Sequence, residues 1–357
     1  MKVPHIQKNV STLTLLNWSF YLPVTIVPDS DNTREFDFYS QHRYSYHLGG
    51  KTGMPNPQPG IIDDNRQFAL FLVANVKKPH RDGIKVARQC AVFFNLMKEL
   101  TDAKAGMTGT VSYGSDFWDA ISPKKRPALL APLKAVGKGA RKAPNTGGDL
   151  LVHISSNRVD LNFELARRLC LGITEYIEVL EEVHGFTYLD GRDLTGFIDG
   201  TANPKLDERA KVALINKDRN FQGGSYVLTQ KYVHDLKKWQ KLTQKQQENI
   251  IGRHKPDSEE LAKTKKLPTA HISRVEIEER GEELKVVRHS YPYGKASGKS
   301  GLFFIAYASE PETFEKMLAK MFGVSGDGLH DHLMDYTRPK SGAVFFTPSR
   351  EVLESFK

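Results

Sequence analysis

The sequence predicts an α+β protein built from two comparable halves, and three observations carry that expectation. The chain has 357 residues, more than one small core organises well and a length that suits two domains of ordinary size. Hydrophobic residues make up 39% of it and charged residues 26%, so it can bury a real core and is not disordered as a whole. Apolar runs of strand length also alternate with runs at helical spacing, in an order that the second half repeats less clearly.

Residues 1–60 end in GGKTGMPNPQPGII, a Pro/Gly/Asn-rich passage that reads as a linker, so an arm over 1–55 precedes the first domain. QFALFLVANV (67–76) reads as a strand, and IKVARQCAVFFNLMKEL (84–100) carries apolar residues at helical spacing. GMTGTVSYG (106–114) is a second strand, 137–148 a basic loop, and DLLVHISSN (149–157) a third strand. LNFELARRLCLGITEYIEVL (161–180) reads as one long amphipathic helix begun by the capping signature Asp160. Strand, helix, strand, strand, helix is the order of a ferredoxin-like unit, which assigns a first domain to 56–205.

The second domain, 206–357, opens with a strand at SYVLTQKYVHD (225–235) and a helix at LTQKQQENIIGRH (242–254). HISRVEIEE (271–279) and ELKVVRHSYPY (283–293) read as strands, and GLFFIAYAS (301–309) as a buried one. PETFEKMLAKMFG (311–323) has Pro at its start and Gly at its end, the punctuation of a helix, and SGAVFFTPS (341–349) closes the chain as a strand.

A net charge of +9 attracts anions without choosing among nucleic acid, anionic surfaces and acidic small molecules. The basic clusters at Lys124–Arg126, Lys138–Lys142 and Lys263–Lys266 lack any nucleic-acid module signature and read as solvated loop faces, so neither nucleic acid nor membrane is expected as a partner. The two cysteines, Cys90 and Cys170, sit in apolar helical patterns and read as buried free thiols in a reducing compartment. The stretch from Val10 to Pro28 is broken by Asn17, Pro23 and Pro28 and has neither an uninterrupted apolar block nor paired arginines, so a cytoplasmic protein is expected.

GRDLTGFIDGTANP (191–204) is the most informative stretch. Gly191, Gly196 and Gly200 permit sharp turns and close approach, and Asp199 would be presented beside an apolar wall, where a carboxyl can exchange protons. An Asp in an ordinary turn is the plain alternative. AHISRVEI (270–277) offers His271 at a strand edge as one of twelve histidines able to ligate a metal, and VVRHSYPYG (286–294) offers Arg288, whose guanidinium can stabilise a developing oxyanion or form a structural ion pair. Ser290, two residues on, would share its strand face. Asp331, in HDHLMDYTRPKSGAVFFTPS (330–349), either caps a helix starting near His332 or serves a second role.

The segment Gly196-Phe197-Ile198-Asp199-Gly200, extended by Thr201-Ala202-Asn203-Pro204, resembles the GxxDG motif of the dye-decolorising peroxidases, and the segments around His271, Arg288 and Asp331 follow in the same family's order. The resemblance runs from about residue 55 to 350. It implies two ferredoxin-like domains of the dimeric α+β barrel type, with antiparallel sheets packed on each other and helices outside. It implies one haem b per chain, with His271 holding the iron and Asp331 accepting the ring's other N–H. Asp199 and Arg288 would handle hydrogen peroxide, and Arg288, Ser290, Gly200 and Thr201 would line the cofactor site. Dyes, phenols or other one-electron donors are the implied reducing substrates, and a homo-oligomer the implied assembly.

GKASGKSG (294–301) is one residue short of a phosphate-binding loop and precedes a strand rather than a helix, which excludes an NTPase reading. Two cysteines are too few for a thiolate-held cluster. A haem-handling protein with incidental peroxidase activity, or a basic nucleic-acid binder without haem, are the readings from other classes.

Overall fold

The structure is a computed structural model and describes residues 55–100, 105–139 and 141–357. The arm expected over 1–55, except for Pro55, and the stretch from Val10 to Pro28 lie outside the described residues.

A short 3-10 turn at Pro59–Ile61 leads into β1 (Phe68–Val76), α1 (Pro79–Ala91), α2 (Phe93–Leu100), β2 (Thr108–Gly114) and α3 (Ser115–Ile121). The small strands β3 (Val136–Lys138) and β4 (Arg141–Ala143) follow, then β5 (Leu150–Ser156), α4 (Val159–Leu171) and β6 (Ile177–Phe186). After the glycine-rich loop come α5 (Leu206–Ala213), β7 (Ser225–His234), α6 (Leu236–Trp239), α7 (Gln244–Ile251) and α8 (His271–Val275). The pair β8 (Glu278–Glu279) and β9 (Glu282–Glu283) precedes β10 (Val287–Arg288), β11 (Tyr291–Gly294), β12 (Ser300–Ala308) and α9 (Glu312–Met321). A 3-10 turn at His332–Asp335, β13 (Thr337–Thr347) and α10 (Arg350–Glu354) finish the chain.

The fold is α+β with antiparallel pairing, as expected, but its two halves share one nine-stranded sheet instead of two separate ones. The order is β10-β12-β7-β13-β2-β5-β1-β6, with β11 also on β12, and the path does not close into a barrel. The join is short: Phe345 and Phe346 of β13 pair with Gly114 and Tyr113 of β2. Side chains alternate along each strand between two cores. Leu70, Leu72 and Ala74 pack with the helix residues Val86, Phe93 and Leu165, while Ala69, Phe71 and Val73 pack with Phe303, Ile305 and Phe345 of the other half. Phe71 stacks on Phe303 with ring centroids 4.3 Å apart, so the sheet folds back on itself and the inner faces of its halves do meet.

Several expected elements differ. The run at 84–100 is two helices split at Val92, and the helix expected to reach 180 ends at Leu171 with Gly172 as its C-cap. The apolar residues from Ile177 onward are β6, so the first half is a complete strand-helix-strand-strand-helix-strand unit. Asp160 lies in the first turn of α4 and does not cap it; the N-cap is Arg158, to which Asp160 is salt-bridged. The basic loop at 137–148 contains the β3–β4 pair, and α10 follows the expected last strand. Cys90 and Cys170 are free thiols, the first buried and pushed up to about 12 by that burial, the second only half-buried. No helix among the described residues is long and apolar enough to cross a membrane.

Candidate active site

A cavity opens between the glycine-rich loop, β7, α8, α9 and β12. Leu228, Leu302, Phe304, Phe314, Met317 and Leu318 make much of its wall apolar, and His271, Asp199, Gly200, Thr201 and Arg288 all line it. The structure thus brings together five of the residues singled out in the sequence. Two others do not line it: Asp331 is buried behind His271, and Ser290 lines a second cavity that shares Asp199, Gly200 and Arg288 with the first.

His271 is the first residue of α8, a helix of five residues, not part of the expected strand. The helix is set by its neighbour: α7 begins with a capping box at Thr243 and ends at Gly252, whose φ of +94° admits glycine readily and other residues poorly. Any Cβ on Gly252 would run into Ile272 of α8. The ring nitrogen Nδ1 of His271 lies 2.6 Å from Oδ2 of Asp331, which has no exposed surface. A carboxylate only accepts, so Nδ1 carries a proton, and in the neutral ring the lone pair is on Nε2. Oδ1 of Asp331 accepts the Leu333 N–H at 2.8 Å, so this carboxylate both caps the 3-10 turn and fixes the imidazole.

Asp199 sits on the loop between β6 and α5. Gly191, Gly196 and Gly200 have φ of +94°, +90° and +80°, the turns that the glycine spacing predicts. The Asp199 N–H donates to the Gly191 carbonyl at 3.0 Å, and Oδ1 accepts from the Gly200 N–H at 2.7 Å. Arg192 pins the same loop by donating to the carbonyls of Gly196, Lys255 and Pro256. Arg288 forms no ion pair among the described residues, so the structural role weighed for it is not realised. The strand expected through 283–293 breaks after Arg288, and Ser290 falls in the break, its Oγ accepting from the Ile305 N–H at 3.4 Å.

Sequence comparison adds the deciding observation: the Dyp-type peroxidase N-terminal domain matches residues 58–187 and the C-terminal domain residues 190–352. The chain belongs to the Dyp-type peroxidase family. A dye-decolorizing peroxidase of Mycobacterium tuberculosis is 37% identical over 305 residues, covering 84% of this chain and 90% of that protein. Among solved structures, a dye-decolorizing protein from V. cholerae superposes with a TM-score of 0.79 at 40% identity, covering 84% of this chain and 99% of that one. A DypB variant from Rhodococcus jostii RHA1 in complex with heme gives 0.81 at 35% identity, covering 85% of this chain and all of that one.

In this Dyp-type peroxidase three further residues build the site without having been picked out in the sequence. The side chain of Asn203 makes two hydrogen bonds to the backbone of Arg288, at 2.8 and 2.9 Å, tying the glycine-rich loop to β10. Asp193 and His234 form a buried pair at 3.1 Å on the cavity wall, with Thr337 on the other ring nitrogen at 2.7 Å. Burial pushes the Asp193 carboxyl up, but His234 and the hydrogen bonds from Thr195 outweigh it and hold the group at about 2. Only the repeated polar residues of the 191–204 segment hinted at Asn203 and Asp193; nothing local marked His234.

Proposed function

We propose that this protein reduces hydrogen peroxide at a haem b held in the main cavity by His271, drawing single electrons from dyes, phenols or other donors. One observation carries the reading: Nδ1 of His271 is committed to a fully buried carboxylate, which in the neutral ring leaves a lone pair on Nε2 at the wall of an apolar cavity that Asp199 and Arg288 also line. The donor set fits the group. A neutral imidazole with a carboxylate behind it suits an iron ligand, the apolar wall suits a flat macrocycle, and Arg253 and Lys285 on the lining would meet its carboxylates. Haem bound there supplies a redox-active iron that accepts the oxidising equivalents of peroxide.

The chain's own residues do the remaining work. Asp199 takes the proton from the inner peroxide oxygen and returns it to the outer one, so that the outer oxygen leaves as water. Arg288 donates hydrogen bonds to the oxygen that gains charge as the O–O bond breaks. Asn203 holds the Arg288 backbone against the loop that carries Asp199. Gly200 and Thr201 line the main cavity and would hold that loop beside haem bound there, while Ser290 lines the second cavity, which also reaches Asp199 and Arg288. Asp331 keeps the His271 ring in one tautomer.

The boundary between a first domain at 56–205 and a second at 206–357, a cytoplasmic location and a homo-oligomeric state are further parts of this reading, and they rest on the sequence. The test of the central claim is optical. Purified protein should carry a haem Soret band that shifts on adding peroxide; a colourless protein that binds no added haemin would overturn it.

A further inference from the structure

The second cavity holds more positive charge than the peroxide chemistry uses. Three guanidiniums line it, those of Arg66, Arg192 and Arg288, against the single carboxylate of Asp199. Arg192 is committed, being paired with Asp190 at 2.8 Å and donating to three backbone carbonyls. The other two are not. Arg288 has no ion pair among the described residues, and neither has Arg66, whose Nε donates to the Gly106 carbonyl at 2.8 Å while Nη1 and Nη2 find no acceptor among those residues. The carboxyls next to Arg66 in the chain do not line the cavity: Asp64 is paired with Arg209 at 3.0 Å, and Asp63 attracts Arg66 only from beyond ion-pair distance.

Arg66 is also built into place. The hydroxyl of Tyr291, a residue 2% exposed, accepts the Arg66 N–H at 2.8 Å and donates to the Arg66 carbonyl at 2.8 Å. At the side chain, Gly106 has a φ of +55°, and a Cβ on it would lie 3.1 Å from Nε of Arg66 and 3.6 Å from Nδ2 of Asn157. Asn157 accepts the Gln67 N–H through Oδ1 at 3.2 Å, which leaves its amide nitrogen, near the guanidinium, with no acceptor among the described residues.

We propose that the second cavity is a binding site for a small carboxylate anion, forked on the terminal nitrogens of Arg66 with the Asn157 amide as a further donor, and that the bound anion keeps peroxide from Asp199 and Arg288. A guanidinium pinned at Nε and open at both terminal nitrogens matches the two oxygens of a carboxylate, and the match is lost with a neutral amide. An anion there also offsets the mutual repulsion of two unpaired guanidiniums in one cavity. The lining around them, with Asn65, Thr187 and Ser290, is polar and selects acids with little apolar bulk. Binding stands on the geometry of Arg66 alone, whereas the blocking rests on the peroxidase reading.

The haem-loaded full chain should be titrated with sodium acetate by calorimetry, with chloride holding the ionic strength constant and acetamide as the neutral molecule of the same shape. One acetate per chain should bind and acetamide should not, and stopped-flow mixing should show the reaction with peroxide slowing as acetate fills the site. Arg66→Gln should bind acetate at least about tenfold more weakly, and its peroxide reaction should no longer respond to acetate at concentrations that slow the wild type. Arg66→Lys keeps the charge without the fork and should show a smaller loss; should Arg66→Gln not hold haem, Arg66→Lys alone decides. Acetate bound as tightly by the variant as by the wild type overturns the site and is the result that an anion seated on the iron would give; no binding to the wild type overturns it as well. Binding that leaves the wild-type peroxide reaction unslowed overturns the blocking. A wild-type Soret band unmoved by peroxide overturns the peroxidase reading, while calorimetry still decides the site.

Discussion

At the scale of single residues, Asp331 has two obligations that its two oxygens meet separately, one to the His271 ring and one to the Leu333 N–H. An amide cannot meet both, because its nitrogen only donates. Asp331→Asn should therefore lose either the imidazole tautomer or the cap, and haemin titration should show affinity reduced roughly 10- to 100-fold. Asp199→Ala and Arg288→Ala act on the peroxide and should retain the Soret band; stopped-flow mixing should find the reaction with peroxide slowed roughly 10²- to 10⁴-fold for the first and 10²- to 10³-fold for the second. His271→Ala should instead bind haem weakly. These four residues stood out in the sequence because motif order marks them. Asn203 and His234 did not, because their partners lie 85 and 41 residues away and only the folded chain brings them together.

At the scale of elements, the His271 helix shows how a site depends on its neighbour's ending. Gly252→Ala would force a left-handed backbone on a residue with a Cβ and push that Cβ into Ile272. A loss of roughly 1–3 kcal/mol is expected by urea unfolding, together with weaker haem binding as α8 shifts. Thr243→Ala, at the other end of α7, should cost about 1 kcal/mol and leave the Soret band unchanged. The same region marks the limit of what patterning reveals. Strands such as β1, β5 and β12 were legible because they alternate between two buried faces and read as apolar runs with turn residues around them. The five residues of α8 are too few for a helical period, and at 161–180 apolar residues continue through the turn after Gly172, so a helix and a strand merge into one pattern.

At the scale of the whole molecule, the core between the two sheet faces holds polar groups that acid will find. His153 and His289 are buried there with ring centroids 6.0 Å apart, His153 beside Tyr307 and His289 beside Asn65 and the Ile61 carbonyl. Burial brings His289 down to about 4 and His153 well below its ordinary value. The unfolded chain therefore binds protons that the folded chain does not across the window from about 6.5 down to about 4, so stability is whole above that window and declines as pH falls through it. His289 alone accounts for about 3 kcal/mol, and urea melts across that range should show the midpoint dropping.

The two-residue contact between β13 and β2 sets a further limit on cutting the chain. A fragment carrying only the second half would expose β13 as a free sheet margin, with unpaired backbone groups beside Phe345 and Phe346. Such a margin recruits other chains, so the severed piece should precipitate by self-pairing, and each half needs the other as a cover that keeps it in solution.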